Sequence, residues 1–595
     1  MDMYGFYTGR IFDAYEFLGC HLEGNGAVFR TFAPAASRIA LIGDFNGWSE
    51  TEMYRVHDGN FWECRVQNAE EGMKYKFRIY KRDGSVTDHC DPYGFGMELR
   101  PQSASIIRNL YGYSFHDADW MKKRTDCKNK PLNIYEMHLG SWKNNPDNEN
   151  GWYTYADIAD KLIPYLKENH YNYVELLPVS EHPCDNSWGY QNTGFFSPTA
   201  RYGTADELKV LIDKCHQNDI GVILDFVIVH FAVDDYALAN YDGTALYEYP
   251  HRDVGFSEWG SKNFIHSRGE VQSFLQSCAN YWIKEFHFDG LRMDAVSNII
   301  YWHGDERRGV NVNGLNFLKH MNQGLKQMYP SVILAAEDST SYSNVTKPVE
   351  MGGLGFDYKW DMGWMNDTLA YFKENSYDRV RDYHKLTFSI MYFYNENYLM
   401  PFSHDEVVHG KATIIQKMNG DYEEKFPQAR ALYMYMYAHP GKKLNFMGNE
   451  IAQFREWDEK REQDWMLLAY PKHEMFHKFM IKLNEIYMSY PALYEKDYDR
   501  EGFEWVDCAG CQQCTYAFLR KAEKQQLLAV FNFRDKPVKD YELQINSGTK
   551  AKIILNSNWK CFDGNEEMEE KEYLIDEGSV KVDMEGMCAK YFIVR

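Results

Sequence analysis

The apolar positions of this chain fall into three successive rhythms. Over residues 1–115, short segments such as AVFRTFA, RIALIGDF, FWECRV and MKYKFRIY alternate apolar and polar residues between Gly, Asn and Asp turns. That period of two is the mark of half-buried strands, and its repetition predicts a β-sandwich. The stretch from His116 to Lys130, polar and basic around DADWMKKRTDCKNK, reads as a linker packed on the domain C-terminal to it. From Pro131 the rhythm becomes strand, loop, helix, repeated. Strand candidates are LNIYEMHLGSW, YVELLPV, GVILDFVIVH, FDGLRMDAV, VILAAEDS, GLGFDYKWDM, YLMPFSHDE and KLNFMGNE. Helical spacing runs from Tyr153 to His170, Ala205 to Asn218, Glu270 to His287, Leu315 to Tyr329 and Phe426 to Ala438. Eight strands, most followed by helices, predict an α/β fold, a (β/α)8 TIM barrel over 116–490, with chemistry at the C-terminal strand ends. After a helix from Met475 to Tyr490, Pro491 breaks the pattern. CTYAFLR, QLLAVFNF, KIILNS and KYFIVR then predict an antiparallel β-sandwich over 491–595.

Composition narrows the partners. The 595 residues exceed one ordinary domain, and 44% apolar residues supply well-packed cores. Sixty-five basic against 87 acidic residues leave a net charge of -22, which argues against nucleic acid or an anionic membrane as partner, while a neutral polymer is indifferent to it. No stretch is apolar enough to span a bilayer, and MDMYGFYTGRIF lacks the features of a signal peptide, so a cytoplasmic protein is expected. Cys508, Cys511 and Cys514 form a C-x-x-C-x-x-C run without an adjacent fourth ligand, and structural thiols are the favoured reading over a metal site. The GDFNGW turn sets Trp48 beside a tight bend, either as a core residue at a sandwich corner, which is favoured, or as a sugar platform.

Candidate chemistry gathers at strand ends. In FDGLRMDAV, Arg292 and Asp294 alternate on one strand face, so a guanidinium and a carboxylate project together and the carboxylate is kept ionised. Alone, such a pair is more often a surface or structural ion pair. Three other strand ends carry Asp225 and His230, Glu337 and Asp338, and His404 and Asp405. Carboxylates clustered in one cavity supply an acid and a nucleophile from the same functional group, the pair that retaining glycosidic cleavage requires. Neutral histidines beside them can donate to sugar hydroxyls.

DFVIVH, GLRMDAV, AAEDS and FSHDE resemble the four short segments of the α-amylase superfamily (glycoside hydrolase family 13). EHPCDNSWGYQNTGFFSPTARYGTADELK, MGGLGFDYKWDMGWMNDTL, LMPFSHDEVVHGK and AHPGKKLNFMGNEIAQFREW are similar to the 1,4-α-glucan (glycogen) branching enzymes, over nearly the whole chain. The resemblance implies a carbohydrate-binding module at the N-terminus and a C-terminal β-domain. It implies Asp294 as nucleophile, Glu337 as general acid/base and Asp405 as the third carboxylate, with Arg292 orienting and ionising Asp294. Asp225, His230 and His404 would grip the sugar at the cleavage point, and Tyr190 would lie under it. A strand-end carboxylate capping a loop and an aromatic packed in a loop are plainer alternatives for Asp225 and Tyr190. His409, Trp457 and Asp464 could line outer subsites or belong to core or rim. The chain departs from the family at Phe226, Ile228 and Val229, and Val229 replaces an Asn that ligates calcium in many amylases, so no metal is expected.

The implied activity is retaining cleavage of an α-1,4 bond and transfer of the chain to a 6-hydroxyl. The substrate would be an α-glucan polymer such as glycogen or amylose-like chains, handled by a monomer with no cofactor. An α-glucan hydrolase of amylase, debranching or trehalose-releasing type shares every catalytic group and is the nearest alternative. A non-catalytic glucan-binding protein is the second.

Overall fold

Parallel strands covered on both faces read as largely apolar runs, and eight such runs close into one barrel in the computed structural model, which describes all 595 residues. They are β1 (Asn133–Met137), β2 (Tyr173–Leu176), β3 (Gly221–Phe226), β4 (Gly290–Met293), β5 (Ile333–Ala336), β6 (Tyr358–Trp360), β7 (Tyr398–Phe402) and β8 (Lys442–Phe446). They follow one another in chain order around the barrel, and β1 pairs in parallel with β8. The first strand is shorter than its apolar run suggests: Leu139–Trp142 turns into a helix, so LGSW is not strand.

The chain divides into two units, Met1–Arg124 with His138–Ile163 and Glu175–Asp357, and Thr125–Met137 with Pro164–Val174 and Tyr358–Arg595. In the first, an N-terminal sandwich is built from a four-stranded and a five-stranded sheet. Lys74–Tyr80 shows why it folds: Tyr75, Phe77 and Ile79 are buried while the residues between them are not, so one face of the strand is apolar. Trp48 is not the core residue its turn suggests. It sits in a left-handed conformation, 40% exposed, with its indole N–H donating to Asp44.

The stretch read as a linker contains a helix, α1 (Ala118–Lys123), fastened by a buried ionic cluster. His216, near the end of α2 (Ala205–Gln217), holds Asp117 through Nδ1 and Asp289 through Nε2, both at 2.8 Å. Trp120 stacks on its ring and donates to Asp289, and His287 and Arg124 reach the same two carboxylates. Burial alone would lower the imidazole, but Asp289 and Asp117 outweigh it and raise His216 to about 9. A group raised above its unfolded value of about 6.5 stabilises the fold fully below that pH and loses the contribution as pH rises through about 9. Thermal melts across pH 6–9.5 are therefore expected to show the wild type losing on the order of 2 kcal/mol that His216→Gln never had. Parallel melting curves for the two proteins would contradict this.

In the second unit, a six-stranded and a two-stranded antiparallel sheet form the C-terminal domain. Its attachment is ionic at the centre: Lys442 and Arg520 hold Asp497 at 2.9 and 2.7 Å, and all three side chains are fully buried. Burial alone would raise the Asp497 carboxyl, but the two cations hold it below its usual range. No helix is long and apolar enough to cross a membrane.

Candidate active site

β4 ends at Met293, and the next residue is Asp294. Pairing of β3 with β4 sets Asp225 directly beside Arg292. The Arg292 guanidinium, wholly buried, then gathers the carboxylates around it. Its Nη1 lies 2.8 and 2.9 Å from the two Asp225 oxygens and 3.0 Å from Asp294 Oδ1, and its Nη2 lies 3.0 Å from Glu337 Oε2. Burial opposes the charge, yet Asp225 and then Glu337 outweigh it and raise Arg292 well above its ordinary value. The cation is permanent, and a planar fork fixes where the acids stand.

Exposure separates these acids. The Asp225 side chain is sealed, while Asp294 and Glu337 keep 14% and 17% of theirs open. Asp225 also accepts the Tyr190 hydroxyl at 2.5 Å, so its oxygens serve Arg292 and Tyr190. Past Asp294 the backbone turns left-handed at Ala295, with φ +50°. That turn aims the Ala295 N–H at Glu337 Oε2, 2.9 Å away, and the next residue donates to the Glu337 carbonyl. The strain of a non-glycine residue in this conformation sits beside the two open acids. Asp338, by contrast, turns away to accept from Thr340 N–H and Oγ1 and closes a local turn.

His230 is buried in the same unit. Its ring packs 5.2 Å from Trp259, and its Nδ1 has no hydrogen-bond partner. Burial lowers it to about 4, so it is neutral at physiological pH.

The second unit holds His404 and Asp405 at the end of β7. Here the orienting residue is one that the sequence does not mark. Glu136, on β1 and fully buried, accepts the His404 backbone N–H at 2.9 Å and its Nδ1 at 2.5 Å. The ring is thereby fixed with Nε2 3.5 Å from Asp405 Oδ1, and 39% of the Asp405 side chain stays open. Trp457, 6% exposed, packs on His404, and Asp464 is held by Arg455. The only signal of Glu136 was an acid in an otherwise apolar strand run, YEM. No group of three or more His, Cys, Asp or Glu side chains is disposed to hold a metal ion, and Cys514 is buried while Cys508 is exposed.

A parallel barrel with open carboxylates at its C-terminal strand ends, flanked by two β-domains, defines an α-amylase-type protein. Residues 17–94 match carbohydrate-binding module 48 (isoamylase N-terminal domain), 113–251 the α-amylase catalytic domain, and 505–593 the α-amylase C-terminal all-β domain. Solved pullulanases share the fold at low identity. One from Anoxybacillus sp. LM18-11 superposes with a TM-score of 0.75 at 16% identity, covering 100% of this chain and 89% of its own. One from Bacillus acidopullulyticus gives 0.73 at 17%, covering 97% and 74%. Among curated relatives, the 1,4-α-glucan branching enzyme GlgB of Bacillus caldolyticus is 43% identical over 95% of this chain and 86% of its own length. That of Bacillus subtilis (strain 168) is 42% identical over 97% and 94%. The chain belongs to the 1,4-α-glucan branching enzyme family.

Proposed function

We propose that Asp294 attacks the anomeric carbon of an α-1,4-linked glucan while Glu337, protonated, gives its proton to the departing 4-oxygen. The C1–O4 bond breaks as the Asp294–C1 bond forms, and the chain is held as a covalent glycosyl-enzyme. Glu337, now a carboxylate, takes the proton of a 6-hydroxyl whose oxygen displaces Asp294 from C1. As a member of its family the chain thus cuts an α-1,4 bond and rebuilds it as an α-1,6 branch on an α-glucan.

One observation carries the mechanism: a single guanidinium spans Asp294 and Glu337, each 3.0 Å from one of its terminal nitrogens. A retaining pair needs its carboxyl groups about 5 to 5.5 Å apart, and a shared guanidinium keeps these two near one another. Arg292 sets a permanent positive charge 3.0 Å from the Asp294 carboxylate. We assign Asp225 to holding Arg292 and Tyr190 in place, since its oxygens are already engaged there. His230, held neutral by burial, keeps the role the family resemblance gives it, gripping the sugar at the cleavage point. Asp405 and His404 keep the roles the family resemblance gives them, steadying sugar hydroxyls as positive charge develops at C1, with Glu136 setting the His404 ring. We further propose a monomer working on glycogen-like chains in the cytoplasm.

Transfer and hydrolysis share these groups and differ in which acceptor is held. Incubation of the purified protein with amylose is expected to lower iodine staining with little gain in reducing ends. A rise in reducing ends in step with bonds cut would make it a hydrolase.

A further inference from the structure

A large indole kept for packing is buried, as Trp282 and Trp360 are at 0% and 1% exposure. Trp259 is 46% exposed although the segment carrying it is unusually well fixed. Its turn is latched by two serines: Ser257 Oγ and Ser261 Oγ lie 2.5 Å apart, and the Trp259 and Ser261 N–H groups both donate to Ser257 Oγ. Gly260 supplies the left-handed residue at φ +78°, and Phe256 bridges Lys262 across the base. The Trp259 carbonyl accepts from Gln191, the neighbour of Tyr190, at 3.2 Å. Its ring meets His230 with 5.2 Å between centroids at 38°. Rigid backbone, an anchored edge and a wetted apolar face beside two residues of the site form a ready surface for the C–H face of a pyranose.

We propose that Trp259 is the stacking platform of a glucan subsite adjoining the one lined by Tyr190 and His230, and that it helps set the length of chain gripped for transfer. The inference rests on the branching reading, and its test separates the two. Initial rates on amylose and the chain-length profile of debranched products are measured for wild type, Trp259→Ala, Trp259→Leu and Trp259→Phe, alongside thermal melts. Loss of one stacked sugar is expected to raise KM about five- to tenfold in the Ala and Leu variants and to shift their chain profile, with melts near wild type. The Phe variant, which keeps a flat ring, stays within about twofold. A Leu variant indistinguishable from wild type would reduce Trp259 to packing and overturn the proposal. So would an unchanged KM and profile in the Ala variant, or equal loss in all three variants with lowered melts. If wild type instead releases reducing ends, the branching reading has failed, while the KM series still reports on stacking.

Discussion

Replacing Asp294 by Ala is expected to lower branching turnover by about 10⁴-fold or more while glycogen binding and the melting temperature stay close to wild type. The reason is where the residue stands. Asp294 is partly open, so its loss strands no sealed acid, and Arg292 retains Asp225 and Glu337 as partners. What disappears is the only group in this assignment that bonds to C1. Residual activity within about tenfold of wild type would remove Asp294 from the nucleophile's position. Co-sedimentation with glycogen checks the binding half of the expectation.

Arg292→Ala is expected to cost both stability and chemistry. Its guanidinium is the buried cation shared by Asp225, Asp294 and Glu337, and Asp225 is sealed from water. Removing one partner of a buried ion pair costs about 3–5 kcal/mol because the remaining charge stays desolvated. Chemical denaturation measures this directly. Arg292→Lys separates charge from geometry. A lysine restores a positive charge but offers a single nitrogen where the fork has several, so it cannot hold Asp225, Asp294 and Glu337 at their present spacing. Stability is expected to recover partly while kcat stays down by about 10²-fold or more. A lysine variant with wild-type kcat would mean that charge alone, and not the fork, organises the acids.

The barrel was legible because its strands are short, largely apolar runs and its helices carry the 3.6-residue period, as in Leu208, Leu211, Ile212 and Cys215 on α2. Arg292 and Asp294 were legible for a local reason: alternation along a strand sets them on one side, and they are found 3.0 Å apart. What stayed hidden was decided by partners remote in sequence. Glu136 carries no mark of its attachment to His404, 268 positions away. His216 looks like any polar residue near a helix end until Asp117 and Asp289 are folded against it. Trp48 misleads because aromatic character speaks for burial, whereas its tight turn aims the ring outward. In LGSW, apolar residues continue the strand pattern while the backbone has already turned into a helix.

Trapping the glycosyl-enzyme is the most direct measurement. A Glu337→Gln variant given an α-maltosyl fluoride needs no acid to expel fluoride but lacks the base that completes turnover, so the covalent species should accumulate. Peptide mass spectrometry is expected to find one maltosyl group on the carboxylate of Asp294. A maltosyl group on a different residue, or steady turnover of the fluoride by the Asp294→Ala protein, would contradict the account.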